Sequence, residues 1–391
     1  MNWRGIWHLG TRYLRRKRAK TALLIAAFTL VWLLPTLVAL VVSQAEEHLR
    51  SRAAETPLVM GRTGSPLELA FNALYFTKPE QATFPLKETE VLEDGISIIP
   101  IYSRYHAQDN RIVGTTIDYF RFRNLTFAAG RQFIRMGECV IGAKIATAHG
   151  LSVGDSVISS PGSMFDLAGV YPLKMRICGI MEANGSPDDS AIFVDLKTTW
   201  VIEGLGHGHE EADKVDSDQV LRKDEKGEII LNASVVEFNE VTAENVNEFH
   251  FHGDQGDFPI SAAIAIPDNA KTQALFKGKF LTRTDMQVVS PAEVMDELFD
   301  TVFRIQQVVT AILFLIGLAT LAIGFLVFTL SYQLRIREFS NLSNMGADPP
   351  FLRWLIAFEA LFVFVASLLV AGLILMIFNL FTPALIKAFL S

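Results

Sequence analysis

The polar stretch SYQLRIREFSNLSNMGADPP, residues 331–350, lies between two long apolar runs and decides the fold class of this chain. The run that leads into it, residues 305–334, carries no charge, and the run that follows it, residues 354–389, carries only Glu359 and Lys387. A helix of about 20 apolar residues crosses the hydrocarbon core of a bilayer. Each run is therefore long enough to span a membrane, and the polar stretch connects the two spans at one membrane face.

The first apolar run, residues 22–42, also carries no charge and is a third candidate span. The alternative is a signal peptide, but its apolar core has roughly 7–15 residues and a small-residue cleavage site follows it. Here the chain continues without such a site as QAEEHLR, residues 44–50, which is typical of the same helix leaving the membrane. We therefore predict an uncleaved span.

The composition agrees with a membrane protein, since 50% of the 391 residues are hydrophobic and the mean hydropathy is +0.30. The predicted spans are residues 22–43, 307–331 and 354–378. Asn379, Thr382 and Pro383 interrupt the last apolar run. We therefore expect residues 379–391 to form a short terminal helix or cap.

Basic residues near the span ends indicate the orientation of the chain. Residues 1–20 hold seven Lys or Arg and no acid, and residues 332–353 hold three Lys or Arg against two acids. Residues 45–304 hold 24 Lys or Arg against 39 Asp or Glu. Short loops rich in Lys and Arg stay in the cytoplasm. We therefore expect residues 1–20 and 332–353 on the cytoplasmic side of the membrane and residues 45–304 on the opposite side.

The basic N-terminal segment, residues 1–20, has two compatible interpretations. Trp3, Ile6, Trp7 and Leu14 interleave with its charges, which predicts an amphipathic helix on the inner membrane surface. The alternative is a simple anchor that sets the topology.

The outer segment, residues 45–304, is long enough for one large domain or two smaller ones. Short β-branched or aromatic runs bounded by turn formers predict strands at residues 95–102, 175–181, 190–194 and 260–266. Helix signals predict helices at residues 142–149, at residues 270–277, and from residue 291 straight into the second span. We therefore predict an α-helical transmembrane bundle of three spans with a large extracytoplasmic mixed α+β domain inserted between spans 1 and 2.

The two cysteines, Cys139 and Cys178, both fall in this outer domain. An oxidising compartment permits a disulfide between them. Both also lie in apolar, strand-like runs, where a buried free thiol is common. The sequence leaves both alternatives open, and neither cysteine has a catalytic setting.

Three parts of the chain resemble the MacB/FtsX-type ABC transporter permeases, a group that includes the lipoprotein-release permeases. The basic entry into the first span, YLRRKRAKTALL at residues 13–24, is similar to that family's N-terminus. The outer domain resembles the MacB-type periplasmic core domain in VGTTIDYF (113–120), AGRQF (129–133), ECVIG (138–142), HGLSVGD (149–155) and DDSAIFV (188–194). The polar stretch resembles the FtsX-type domain in REF (337–339) and MGA (345–347), with EAL (359–361) in the next span.

The resemblance implies a homodimer or paired permease in the bacterial inner membrane, with each subunit bound to a cytoplasmic ABC ATPase. Such permeases transmit motion across the bilayer more than they form a channel. The chain has no Gly-x-x-x-x-Gly-Lys-Ser/Thr stretch for nucleotide phosphates, so we expect a separate subunit to hydrolyse ATP.

We expect the cytoplasmic coupling segment, residues 332–353, to dock that ATPase. The residues that match the family's pattern there are Arg335, Arg337, Glu338, Phe339, Met345, Gly346 and Ala347. The alternative is an ordinary polar loop whose arginines fix the topology.

The resemblance also implies four spans and a cytoplasmic C-terminus, whereas the sequence predicts three spans. A lost fourth helix, a shortened chain, or a tight hairpin within residues 354–391 would each account for the difference. Two full spans need about 40 residues plus a turn, so the hairpin is disfavoured.

The resemblance does not extend to residues 204–256, an insert that carries two His-x-His pairs: HGHEEAD from residue 207 and HFHGD from residue 250. Imidazole is a common nitrogen ligand of zinc, and residues i and i+2 of a strand share a face. The pattern predicts a candidate zinc site, for which the ligands are His207, His209, His250, His252 and Asp254. The alternative is a solvated polar loop with incidental histidines.

Two functions fit these features, and the first is a permease that couples ATP hydrolysis to motion of its outer domain in metal (zinc) uptake or substrate efflux. A periplasmic carrier or adaptor is then an expected partner, and some MacB-like permeases are encoded in zinc-uptake systems. The second is an FtsX-like mechanotransmission subunit that activates a periplasmic hydrolase without transport.

An enzyme is disfavoured, because the chain has no nucleophile elbow and no His-Glu-x-x-His motif. Apart from zinc we expect no cofactor. We expect the bilayer, and no nucleic acid, among the partners.

Overall fold

The computed structural model describes residues 3–77, 82–90, 95–160, 172–208, 220–223, 229–231, 239–344 and 349–390. The chain divides into two compact units. One, the helical unit, comprises Met1–His48 and Leu298–Ile386, and the other, the mixed unit, is built around Leu49–Glu297.

Ten α-helices lie within these described ranges. They are α1 Trp3–Arg16, α2 Arg18–Ala54, α3 Pro66–Tyr75, α4 Asp118–Phe122, α5 Ala143–His149, α6 Leu196–Ile202, α7 Ala270–Phe280, α8 Pro291–Leu334, α9 Ile336–Asn344 and α10 Pro349–Leu390.

Three of these helices are long and apolar enough to cross a membrane: α2, α8, and α10 over Arg353–Phe381. The prediction that a helix runs from residue 291 straight into the second apolar run is confirmed by α8. The prediction that the first span continues past Gln44 is confirmed as well, since α2 ends at Ala54.

The predicted interruption of the last apolar run is wrong. Helix α10 continues without a break from Pro349 to Leu390, so residues 379–390 are neither a separate cap nor the second arm of a hairpin. A proline removes one backbone hydrogen bond, which is too little to end a long apolar helix whose other backbone groups are paired. Pro35 lies inside α2 in the same way.

Helix α1 packs one of its faces against the other helices of the helical unit. Its buried residues, Ile6, Gly10 and Leu14, recur every four positions and therefore share one face. Ile6 lies in a buried cluster with Phe339 and Leu355. The N-terminal segment is thus an amphipathic helix, as its pattern predicted, and its apolar face contacts other helices of the same unit.

The strands of the mixed unit follow the chain in order. They are β1 Leu58–Arg62, β2 Phe84–Pro85, β3 Ile96–Ile101, β4 His106–Ala107, β5 Asn110–Thr115, β6 Phe127–Gly130, β7 Glu138–Ile141, β8 Ser156–Ile158, β9 Lys174–Met181, β10 Ala191–Asp195, β11 Gly206–Gly208, β12 Val220–Lys223, β13 Ile229–Leu231, β14 Phe249–Phe251, β15 Pro259–Ile260, β16 Ala262–Pro267 and β17 Met286–Val289.

Two larger sheets organise these strands. A four-stranded antiparallel sheet has the order β17-β1-β16-β3. A seven-stranded mixed sheet has the order β4-β5-β10-β7-β9-β6, with β8 also on β9. Its pairs β10–β5 and β7–β9 are parallel, while β10–β7 is antiparallel. Shorter pairs join β11 to β14, β12 to β13, and β15 to β2.

The predicted elements of this unit are confirmed. Strands β3, β9, β10 and β16 lie where β-branched runs predicted them, and α5 and α7 occupy the predicted helical segments. Gly150 ends α5 in a left-handed conformation with φ of 65°, which a glycine adopts without steric cost. Asn269 caps α7 by accepting a hydrogen bond from the Thr272 amide.

One buried cluster joins side chains from both large sheets. Leu58 and Met60 come from the four-stranded sheet, and Ile141, Ile177 and Val194 come from the seven-stranded sheet. Burying an aliphatic side chain of this size contributes about 1.5–3 kcal/mol. This core fixes the strands from which the candidate sites are built.

The two cysteines are buried free thiols on neighbouring strands. The Cys178 thiol lies 3.2 Å from the Cys139 carbonyl oxygen. Burial raises the pKa of Cys178 to about 11 and places the pKa of Cys139 well above its ordinary value. Of the two alternatives left open by the sequence, the structure therefore has the free thiols.

Candidate functional site

The first candidate site lies on the strand pair β11–β14, which is part of the insert at residues 204–256. These strands are antiparallel, and His207 stands directly opposite His250 in the register. Directly opposite residues of two paired strands project their side chains to the same face. His207 and His250, which come from different His-x-His pairs far apart in sequence, therefore meet at one surface.

Glycines beside His207 make this pairing sterically feasible. Gly206 faces Phe251 and Gly208 faces Phe249 across the ladder. A Cβ at either glycine would lie 2.6 Å from the facing phenylalanine ring. Phe249 is buried and Phe251 packs against the core cluster. The phenylalanines thus occupy one face of the strand pair, and the alternation of the strand sends the histidines to the other.

His252 completes a group of three imidazoles. Its backbone amide donates a hydrogen bond to the Leu205 carbonyl at 3.1 Å, which extends the strand pairing by one step. Its ring centroid lies 4.8 Å from that of His207 and 5.0 Å from that of His250, and the His207–His250 separation is 4.8 Å. One ring nitrogen from each histidine lies within 4.8 Å of the others.

Two further residues, Asp254 and His209, were predicted as ligands. Asp254 is not in the group of three. Its carboxylate instead accepts a hydrogen bond from the Gly256 amide and caps a short 3₁₀ turn. His209 lies outside the described residues, so its predicted role stays a prediction.

The second candidate site is the junction between α8 and α9, in the helical unit. Arg335 donates a hydrogen bond from Nη1 to Glu359 Oε1 of α10 at 2.8 Å. Its guanidinium lies over the Tyr13 ring of α1, with 3.7 Å to the centroid. Tyr13 contacts the Ser331 hydroxyl at 3.2 Å. The Arg335 side chain therefore ties α1, α8, α9 and α10 together.

The predicted coupling residues divide between an inner and an outer side of α9. Phe339 is buried, and its ring stacks on Tyr332 with 5.5 Å between centroids. Arg337 and Glu338 are exposed. Arg335 and Phe339 thus hold α9 against the neighbouring helices, while Arg337 and Glu338 form a charged surface on its exposed side. Met345, Gly346 and Ala347 lie outside the described residues.

A buried ion pair in the mixed unit was not predicted from the sequence. Arg52, near the end of α2, donates Nη1 to Asp188 Oδ2 and Nη2 to Asp188 Oδ1, each at 2.9 Å. Tyr119 also donates to Asp188, at 2.8 Å. In the sequence Arg52 follows Arg50 on a polar helix end, and no local pattern distinguishes the half-buried Arg50 from the buried Arg52.

The electrostatics of this pair follow from its surroundings. Burial by itself would raise the pKa of Asp188, but the Arg52 charge and the hydrogen bonds from Arg52 and Tyr119 outweigh burial. The pKa of Asp188 therefore lies below its ordinary value. Burial, with the neighbouring Asp188 charge, raises the pKa of Tyr119, so this hydroxyl stays a hydrogen-bond donor.

Three membrane-length helices, with the mixed unit between the first two of them along the chain, are the features of a membrane protein. Residues 37–233 match the family model of the MacB-like periplasmic core domain. Because this match spans half of the chain, the chain belongs to the MacB/FtsX-type ABC transporter permeases. Members of this class are transport components that work with an ATPase subunit and are generally not enzymes themselves.

Two solved structures are similar to this chain. The periplasmic region of MacB from Actinobacillus actinomycetemcomitans is 11% identical, with 62% of this chain and 92% of that chain covered and a TM-score of 0.33. The extracellular domain of the noncanonic ABC-type transporter YknZ from Gram-positive bacteria is 12% identical, with 59% and 98% covered and a TM-score of 0.31. No curated protein sequence matches this chain. The family assignment therefore rests on the match of residues 37–233.

Proposed function

We propose that this chain is the transmembrane subunit of a bacterial inner-membrane ABC system, with its N-terminus and α9 in the cytoplasm and its mixed unit in the periplasm. A separate cytoplasmic ATPase supplies the energy, and two permease subunits work together as a homodimer or a pair. The distribution of charge supports this orientation, because seven Lys or Arg precede the first span and the segment 45–304 is acidic.

The observation that carries the proposal is the ion pair between Arg335 and Glu359. The side chains of both residues are largely buried, with exposed fractions of 13% and 4%. A buried ion pair with aromatic contacts holds its elements in one arrangement, because separating the charges leaves one of them without compensation. Helix α9 is therefore fixed to α10. It is a better docking element than a polar loop that has no such packing contacts.

The exposed side of α9 suits the docking of an ATPase that changes conformation during hydrolysis. Arg337 and Glu338 are exposed next to the buried Phe339, so a protein bound to them pushes on a helix that is anchored from within. Force applied there passes through Arg335 to Glu359 in the membrane-length helix α10. This arrangement favours ATPase docking over the alternative of a simple topology-fixing loop.

Co-purification tests the docking role. Tagged Arg337→Glu and Glu338→Lys permeases, expressed in the native host, are expected to lose the ABC ATPase and its ATP hydrolysis. Arg121→Glu is the matched control, because Arg121 is an exposed arginine of the mixed unit. All variants should give the same elution profile from a sizing column. Retention of the ATPase by both α9 variants, at the level of the control, would contradict the proposal.

The transported substrate is the finer part of this proposal: the mixed unit takes part in metal (zinc) uptake, with a periplasmic carrier or adaptor as a partner. Its support is the group of three histidines on β11 and β14. Efflux of another substrate is the competing direction.

A second candidate function is mechanotransmission, in which the mixed unit activates a periplasmic hydrolase without transport. The continuity of the helices favours it, because α2 and α8 each run unbroken between the membrane-length segment and residues of the mixed unit. Measuring ATP-dependent uptake of ⁶⁵Zn²⁺ in cells that carry or lack the permease separates the two functions. Equal uptake in both cells would contradict zinc uptake and leave mechanotransmission and efflux of another substrate.

A further inference from the structure

We propose that His207, His250 and His252 form an open binding site for a divalent transition-metal cation, and that Zn²⁺ suits it best. The proposal deepens the proposed transport function by naming the residues that bind the cation. The site itself stands on the geometry of the three imidazoles and does not depend on ATPase docking.

The ligand type selects the class of cation. Three imidazole nitrogens suit zinc and related transition metals, whereas Ca²⁺ and Mg²⁺ prefer oxygen ligands. Three protein ligands with a fourth position open to water or to another molecule are the arrangement of zinc sites at which a further molecule binds the metal, as in catalytic sites. Structural zinc sites are closed by four protein ligands.

The geometry requires only a small adjustment. With zinc–nitrogen bonds of about 2.0–2.1 Å, tetrahedral ligands lie about 3.3 Å apart. The three ligand nitrogens now lie within 4.8 Å of one another. His250 and His252 are exposed and His207 is half-buried, so rotation about the side-chain bonds can close the remaining distance.

The strand pairing supplies the rigidity that such a site needs. His207 and His250 are held opposite each other by the β11–β14 ladder, and the backbone of His252 is held by Leu205. The Nδ1 atom of His250 lies 3.3 Å from the Glu248 carbonyl oxygen. When Nδ1 donates to that oxygen, Nε2 carries the lone pair for the metal, as outer carbonyls commonly arrange at histidine sites.

Cation binding would also join the two ends of the insert. His207 precedes the segment 209–248, and His250 and His252 follow it, so one ion bound to all three imidazoles connects both ends. Because metal binding and folding are thermodynamically coupled, occupancy should stabilise the strand pair β11–β14. The open fourth position would let a carrier protein or another small ligand deliver or remove the ion.

Titration of Zn²⁺ into the purified full-length permease in detergent tests the site, with bound metal counted after gel filtration. We expect one Zn²⁺ per chain, and affinity weakened at least about tenfold in each of His207→Ala, His250→Ala and His252→Ala. The matched control is His149→Ala, which changes an exposed histidine elsewhere in the same unit. It should leave the affinity unchanged.

Two further readouts keep the test decisive. Co²⁺ in place of Zn²⁺ should give the visible absorption of a tetrahedral nitrogen site in the wild type, and lose it in the triple variant. Zn²⁺ should also raise the melting temperature of the wild type, as a ligand specific for the folded state does, and leave that of the triple variant unchanged.

Absence of stoichiometric binding, or equal binding by the triple variant, would overturn the cation site. ATPase co-purification is measured separately, on Arg337→Glu and Glu338→Lys. Loss of the cation site would leave the docking result intact, and failure of docking would leave zinc binding intact.

Discussion

The Arg52 guanidinium and the Asp188 carboxylate form a bidentate buried ion pair, with two nitrogen–oxygen distances of 2.9 Å. Their side chains are 8% and 1% exposed. Arg52 also donates from Nε to the Leu74 carbonyl oxygen at 2.7 Å, and from Nη2 to the Tyr119 hydroxyl at 3.0 Å. The last turn of α2, whose earlier residues form a membrane-length segment, is therefore bound into the core of the mixed unit.

Removing one partner of this pair should destabilise the mixed unit. Asp188→Asn leaves the Arg52 charge buried without compensation, which costs about 3–5 kcal/mol. For a unit of this size that corresponds to a melting temperature lower by roughly 6–20 °C. Thermal unfolding of the full-length protein in detergent, followed by circular dichroism, measures the shift.

The double variant Arg52→Met/Asp188→Leu is the control for this prediction. It removes both charges, so it should be more stable than Asp188→Asn. A single variant with the wild-type melting temperature would contradict the role of the ion pair.

Glu138 predicts how the stability of the mixed unit depends on pH. Hydrogen bonds from Arg131, at 2.8 and 2.6 Å, lower the pKa of Glu138 from an ordinary 4.5 to about 2. A lowered pKa means that the ionised form stabilises the fold above pH 4.5, and that this stabilisation is lost as the pH falls toward 2.

Glu138→Gln isolates this contribution. The variant should be less stable than the wild type by about 1–2 kcal/mol at pH 7, and the difference should shrink as the pH falls from 4.5 to 2. Urea unfolding at a series of pH values measures it. A difference that stays constant over that range would show that the charge of Glu138 is not responsible.

Arg335 and Arg337 should behave differently although they are two residues apart. Arg335→Ala leaves the buried carboxylate of Glu359 without its ion-pair partner, and we expect a loss of about 3 kcal/mol in stability. Arg337 is exposed, and Arg337→Ala should change stability by less than about 0.5 kcal/mol. Melting temperatures of the two variants in the same detergent compare them, and equal values would contradict the inner and outer sides assigned to α9.

Gly208 tests whether the strand pairing positions the cation site. A Cβ in Gly208→Ala would lie 2.6 Å from the Phe249 ring and displace it, so zinc affinity should fall about tenfold although no ligand is changed. Gly278→Ala is the matched control, because nothing lies within 4 Å of its added Cβ. Zinc titration of both variants gives the comparison, and unchanged affinity in Gly208→Ala would separate the site from the register of β11 and β14.

The cysteines should resist alkylation in the folded protein. Both thiols are buried, and burial raises their pKa values, that of Cys178 to about 11. Little thiolate is then present at pH 7.5. Iodoacetamide followed by mass spectrometry should modify neither cysteine before unfolding and both in guanidinium without a reductant. A requirement for a reductant would instead indicate a disulfide.

The apolar runs determined the membrane-length helices by themselves, because length and absence of charge are properties of a continuous segment. Strands β3, β9, β10 and β16 were predictable for a similar reason, since β-branched and aromatic runs bounded by turns act locally. Sequence spacing also indicated that His250 and His252 share a face, because alternation along one strand requires no partner.

Tertiary structure decided which distant residues meet. His207 stands opposite His250 because β11 pairs with β14 in one register, and that register depends on packing Phe249 and Phe251 beside two glycines. The side chains of Arg335 and Phe339 lie on the packed side of α9 because α1 and α10 cover that side. Arg52 differs from the half-buried Arg50 through its burial against Asp188, which only the tertiary structure shows. Contacts of this kind join residues far apart along the chain, and local sequence patterns do not predict them.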